Sequence, residues 1–168
     1  EQAGIAVATE AGKHLKKCVL ELGGNNAFIV LEDANLEKTV AIAVNARMQN
    51  AGQSCIASKR FLVHENIEEA FVSQLKTAVQ KLKTGNPLDK TTEIGALARE
   101  DLAEELEIQV RKSIEMGAKL VCGGKRTEAF YEPTILTNVS AEMPVFKEET
   151  FGPVVAITTV KTLEEAIE

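Results

Sequence analysis

Alternation between helical and extended segments predicts an α/β fold for this chain. Three observations carry that expectation. Apolar residues recur at helical spacing in several stretches, short apolar runs read as buried strands between them, and glycines or prolines stand at the junctions. With 168 residues the chain suits one domain and a sizeable core. At 45% hydrophobic and 26% charged residues, its composition is that of an ordinary globular domain.

The elements follow in order. The Ala-rich start through Ala11 reads as the tail of a helix. Lys17 to Leu22 reads as a strand that ends in Gly23-Gly24, and Ala27 to Leu31 as a second, short buried strand. Asp33 or Asn35 caps the next helix, where Leu36, Val40, Ala43 and Val44 fall at helical spacing and Gly52 ends it. Arg60 to His64 is a strand. Ile67, Phe71, Leu75, Ala78, Val79 and Leu82 make one apolar stripe, stopped by Gly85 and Pro87. Leu102, Leu106, Val110 and Ile114 mark another amphipathic helix, closed by Gly117. Leu120 to Cys122 is a strand ended by Gly123-Gly124. Tyr131 to Leu136 is extended, and Pro133 places it near a sheet edge. Pro153 to Val160 is a last strand, and Thr162 opens a helix.

Charge and composition narrow the function. The formal charge, 19 basic against 25 acidic residues, is −6, which argues against a nucleic-acid partner. Aromatics make up 4% and Trp is absent, so there is no stacking platform for bases. No apolar run approaches the roughly 18 residues of a membrane span, and no basic-then-apolar leader opens the chain. The three cysteines, Cys18, Cys55 and Cys122, match no zinc spacing, so no metal is expected. Cys18 and Cys122 read as small buried hydrophobes in strands. An odd cysteine count suits a reducing, cytoplasmic setting.

Three segments can carry chemistry. In Asn50-Ala51-Gly52-Gln53-Ser54-Cys55, a cysteine just after a glycine-broken helix is held on a turn. There its sulfur can face a cleft, with backbone N–H groups near the atom it attacks, once a base or positive field makes the thiolate. The local alternative is a structural cysteine. In Glu21-Leu22-Gly23-Gly24-Asn25, an acid at a strand end precedes two glycines that admit close approach. A partly desolvated carboxylate there suits a general base, the alternative being a surface glutamate beside a turn. In Lys147-Glu148-Glu149-Thr150-Phe151-Gly152-Pro153, two acids before Phe-Gly-Pro suit a diol such as a ribose, and the Phe a wall for a flat ring. A solvated charge run is the alternative. His14 and His64 are poorly placed for a Cys–His hydrolase. No GxGxxG occurs, so the chain holds no dinucleotide fingerprint of its own.

The order Glu-Leu-Gly-Gly, then Gly-Gln-x-Cys, then Glu-Glu-x-Phe-Gly-Pro-Val resembles the aldehyde dehydrogenase superfamily, over essentially the whole chain. The gap from Glu21 to Cys55 is similar to that family's. Within it, the run Leu15 to Glu21 with Gln53-Ser54-Cys55 and Lys59-Arg60-Phe61 is similar to bacterial succinate-semialdehyde dehydrogenases. The resemblance implies a three-layer α/β/α catalytic domain over residues 23–168, with residues 1–22 as the end of a cofactor-binding domain. It implies oxidation of a small-molecule aldehyde to a carboxylic acid with NAD or NADP. Cys55 is then the nucleophile and Glu21 the base that activates water against the thioester. Glu149 holds the nicotinamide ribose, and Phe151 lies beside it. Gly23 and Gly24 give the nicotinamide room, and Asn50, Gly52 and Gln53 shape the cysteine loop. The Glu-Leu-Gly-Gly base favours hydrolytic release over an acylating, coenzyme A-linked reaction.

Such enzymes are much longer and form homo-oligomers. The resemblance therefore implies that most of the cofactor domain lies outside this stretch, which alone would neither bind NAD tightly nor turn over. A non-catalytic α/β scaffold or interaction domain of the same descent is the competing reading.

Overall fold

A computed structural model of the chain describes residues 2–168. Its order is α1 (Gln2–Lys13), β1 (Asn26–Val30), α2 (Leu36–Met48), a 3-10 turn (Gln49–Gly52), β2 (Ser58–His64), α3 (Glu68–Gln80) and α4 (Glu100–Glu115). There follow β3 (Lys119–Cys122), β4 (Arg126–Thr127), β5 (Phe130–Tyr131), β6 (Thr134–Thr137), α5 (Pro144–Lys147), β7 (Val154–Val160) and α6 (Leu163–Ile167). Five strands form one sheet in the order β1-β2-β7-β6-β3, and β4 pairs with β5 in a separate hairpin. Every neighbour in the large sheet is parallel except β3, which runs antiparallel to β6. This is the α/β class that the alternating pattern predicts, with a mainly parallel sheet.

The central strand shows why. Val154, Val155, Ala156 and Ile157 of β7 are all fully buried, as a parallel strand covered on both faces requires. In β2 the pleat divides the side chains: Phe61 and Val63 join the main core, while Leu62 packs with Val160 and Ala166 in a smaller cluster. Helices α2 and α3 pack on each other and give Val40, Ala43, Phe71, Leu75 and Val79 to the main core. Asn35 caps α2 through its side chain, which accepts from the Lys38 N–H at 3.1 Å. Thr162 does the same for α6 at Glu165.

Several expectations change. Lys17 to Leu22 is not a strand: no ladder partner lies beside it, and Val19 remains 80% exposed. Cys18, therefore, is half-buried on an irregular segment rather than packed in a strand. Cys122 is in β3 but only half-buried, enough for burial to push its thiol pKa up. The α4 stripe is rotated: Ala103, Leu106, Val110 and Ser113 are the buried positions, while Ile114 faces out. Helix α2 ends at Met48, before the 3-10 turn, and α3 ends at Gln80, before Gly85. Pro133 does not mark an edge. It interrupts Tyr131 to Leu136 between β5 and β6, and β6 is paired on both sides because the proline precedes the ladder.

Helix α1 stands apart from this body. Its one buried residue, Gly4, faces the Leu22 side chain. Leu15, Val19 and Leu22, which follow the helix, are 95%, 80% and 50% exposed.

Candidate active site

The thiol loop is built by a run of left-handed backbone. Asn50 (φ 53°, ψ 39°) and Ala51 (φ 53°, ψ 34°) precede Gly52 (φ 75°). Asparagine enters that region more readily than most residues; alanine does not, so the surroundings must enforce the turn. The Asn50 side-chain amide donates to the Gln53 carbonyl at 2.9 Å, and the Gln53 amide donates back to the Asn50 carbonyl at 3.2 Å. Gln53 Oε1 accepts from the Ala98 N–H at 2.9 Å, fixing the loop to the segment before α4. Gly52 has no room for a side chain, because a Cβ would strike the Gly152 carbonyl and the Pro153 nitrogen. Cys55 follows, exposed, in the turn that enters β2. Among the described residues nothing accepts its backbone N–H.

Two buried cations fasten this loop, and the sequence reading missed both. The fully buried guanidinium of Arg47 donates to the carbonyls of Gly52, Thr150, Gly152 and Val154 and to Thr150 Oγ1. Burial lowers its pKa to about 9, with the charge of Glu149 acting the other way, so it remains a cation at neutral pH. The equally buried Lys59 ammonium donates to the carbonyls of Ser54 and Cys55, both at 3.0 Å, and of Ala57 at 3.4 Å. It also pairs with Glu149 Oε1 at 3.1 Å. A signal for each is present in the sequence. Arg47 continues the Val40, Ala43 stripe at helical spacing, and Lys59 alternates with Phe61 and Val63 on the inward register of β2. A cation in a core register needs buried acceptors.

Glu149 joins the thiol loop to the double glycine. Its Oε1 takes both the Lys59 ammonium and the Gly24 N–H, the latter at 3.2 Å, while Oε2 has no donor among the described residues. The carboxylate is 28% exposed, and Phe151 beside it in sequence is exposed as well. Gly23 (φ 109°) has its missing Cβ directed at Glu149, and a Cβ on Gly24 would meet the Cys55 carbonyl at 2.8 Å. Gln109 of α4 donates to Glu148 and to the Glu149 carbonyl, which steadies the acidic pair from behind. A part-exposed carboxylate with one oxygen free of donors among the described residues fits the hydroxyl donors of a ribose.

The structure thus brings Asn50, Gly52, Gln53, Cys55, Gly23, Gly24 and Glu149 into one neighbourhood. Among the described residues no hydrogen bond joins Glu21 to Cys55. Glu21 lies exposed on the irregular segment before Gly23, and among the described residues no hydrogen bond or ion pair engages it. A cavity of about 380 Å³ lined by Glu107, Arg111 and Tyr131 lies on the α4 flank, and none of these site residues borders it.

The Aldehyde dehydrogenase family model matches residues 1–168. The chain belongs to the aldehyde dehydrogenase family. It is 49% identical to the NAD(P)+ succinate semialdehyde dehydrogenase Sad of Escherichia coli (strain K12), over 99% of this chain and 37% of that protein. It is 48% identical to a probable NADP+ succinate-semialdehyde dehydrogenase of Synechocystis sp., with the same two coverages. Among solved structures it matches the succinate-semialdehyde dehydrogenase of Burkholderia pseudomallei with a TM-score of 0.94 and 38% identity, over 99% of this chain and 35% of that one. The chain therefore spans little more than a third of the length of these aldehyde dehydrogenases. Among its described residues no helix is long and apolar enough to cross a membrane.

Proposed function

We propose that residues 23–168 are the thiol-bearing part of an aldehyde dehydrogenase that oxidises succinate semialdehyde with NAD(P)+, and that residues 1–22 end its cofactor domain. The single observation that carries this is an exposed cysteine on a locked turn, its backbone N–H unengaged, fastened through Lys59 to a half-open carboxylate. The exposure of Leu15, Val19 and Leu22, on the segment between α1 and Gly23, supports the division at Gly23. The relatives' own substrate points to succinate semialdehyde.

Cys55 Sγ attacks the aldehyde carbon and forms a thiohemiacetal. The Cys55 backbone N–H receives the developing oxyanion, a donor of the kind worth roughly 3 kcal/mol. When bound, NAD(P)+ would supply the hydride acceptor, and the thioester would remain on Cys55. Glu149 would hold the ribose hydroxyls through its free oxygen, and Phe151 would serve the nicotinamide ring. Glu21 takes a proton from water as that water attacks the thioester carbon, so the carboxylic acid departs and the Cys55 thiol is restored. Three free cysteines among the described residues suit a reducing cytoplasm.

The test is turnover of the full-length protein with succinate semialdehyde and NAD+ or NADP+. Cys55→Ser should abolish it, and Glu21→Gln should preserve a first-turnover burst of reduced cofactor while stopping steady release of acid. Iodoacetamide should label Cys55 ahead of Cys18 and Cys122. Undiminished turnover by Cys55→Ser would sink the reading in favour of a scaffold role for this site. The 168-residue stretch by itself should show neither tight NAD binding nor turnover.

A further inference from the structure

Lys59 is not needed by the reaction just described, yet it is fully buried and spends all three of its donors at the site. Burying an ammonium is costly, and the position alternates with Phe61 and Val63, where an apolar residue would pack without that cost. What the lysine gains there is specific. Three acceptors are carbonyls of the turn that presents Cys55, and the fourth is the carboxylate oxygen of Glu149. The same oxygen takes the Gly24 N–H, and Gly24 in turn abuts the Cys55 carbonyl. The contacts close a ring: thiol loop, Lys59, Glu149, double glycine, thiol loop.

We infer that Lys59 is a positioning residue that couples the thiol loop to the cofactor carboxylate, so that the reactivity of Cys55 and the hold on the nicotinamide ribose are set together. The inference rests on the reading of Cys55 as nucleophile and Glu149 as ribose acceptor, and deepens it. With Lys59 in place, one Glu149 oxygen is engaged and the other is turned free for the cofactor. Its bonds to the carbonyls of Ser54, Cys55 and Ala57 also fix the turn on which the thiol stands. A lysine that only stabilised the fold would leave both properties alone.

The experiment compares wild type, Lys59→Met, Lys59→Arg and Glu149→Gln in the full-length protein. Two quantities are read: the rate of Cys55 alkylation by iodoacetamide without cofactor, and KM for NAD(P)+ against kcat. Lys59→Met should slow alkylation at least fivefold and raise KM for NAD(P)+ at least tenfold, with Lys59→Arg recovering part of both. Glu149→Gln is the decisive control, and it holds even if Lys59→Met does not fold. A carboxylate that only binds ribose leaves the cofactor-free thiol untouched, whereas a coupled one shifts its alkylation threefold or more. Alkylation within twofold of wild type in both Glu149→Gln and whichever Lys59 variants fold would overturn the inference. Turnover that survives Cys55→Ser would instead overturn the reading beneath it, so the two failures are told apart.

Discussion

The two sides of the candidate site are held in opposite ways. The thiol side is over-determined: a left-handed turn, two fully buried cations and a glycine pressed against Gly152 leave the loop no alternative path. The Glu21 side is an exposed irregular segment, attached to the body where Gly23 and Gly24 meet Glu149 and Cys55. The Cys55 loop is thus held by this body alone, while Glu21 lies on a segment whose described packing is the Leu22 side chain against Gly4 of α1. That contrast is what a site shared between two layers looks like when one layer carries its own support.

The contrast breaks most sharply at Gly52. Gly52→Ala adds a Cβ at φ 75° into the Gly152 carbonyl, backbone against backbone, so neither partner can yield cheaply. The expected loss is about 4 kcal/mol, among the large single-site effects, read as a drop in the urea midpoint. An unchanged midpoint would mean that the loop is looser than its contacts indicate. Arg47→Met comes next. It keeps bulk but strands the carbonyls of Gly52, Thr150, Gly152 and Val154. Unsatisfied buried acceptors make the expected cost about 3 kcal/mol, accompanied by faster exchange of the amides around Cys55. A cost below about 1 kcal/mol would show that water or a shifted loop replaces the guanidinium.

These two positions also mark where the sequence was legible. The apolar pattern placed β1, β2 and β7 to within two residues at either end, because their apolar residues meet one continuous core, and it found the α3 stripe but put its stop at Gly85, beyond the observed end at Gln80. Around Cys55 and Glu149, Gly24 meets both the Glu149 carboxylate and the Cys55 carbonyl. Arg47 and Lys59 escaped because a cation inside an apolar register reads as an interruption of the pattern. Its meaning appears only when the carbonyls of Thr150, Gly152 and Val154, distant in sequence, arrive beside it. The reading of Lys17 to Leu22 as a strand failed for the converse reason. Its residues favour extension, but strand identity lies in a neighbour's hydrogen bonds, and this segment has none.

The smallest effect is the one that tests the other side of the comparison. Val19 is 80% exposed, so Val19→Ser should change the stability of the 168-residue stretch by no more than about 0.5 kcal/mol. In the full-length protein the same substitution should cost about 1.5 kcal/mol, the scale of burying one valine side chain, if a covering layer packs on residues 15–22. Paired unfolding curves of the two lengths check this. Equal, near-zero effects in both would mean that Val19 stays in water, and that Glu21 is carried on a strip that no second layer organises. A loss confined to the longer protein would place the support for the Glu21 segment outside this body, while the Cys55 loop keeps its support within it.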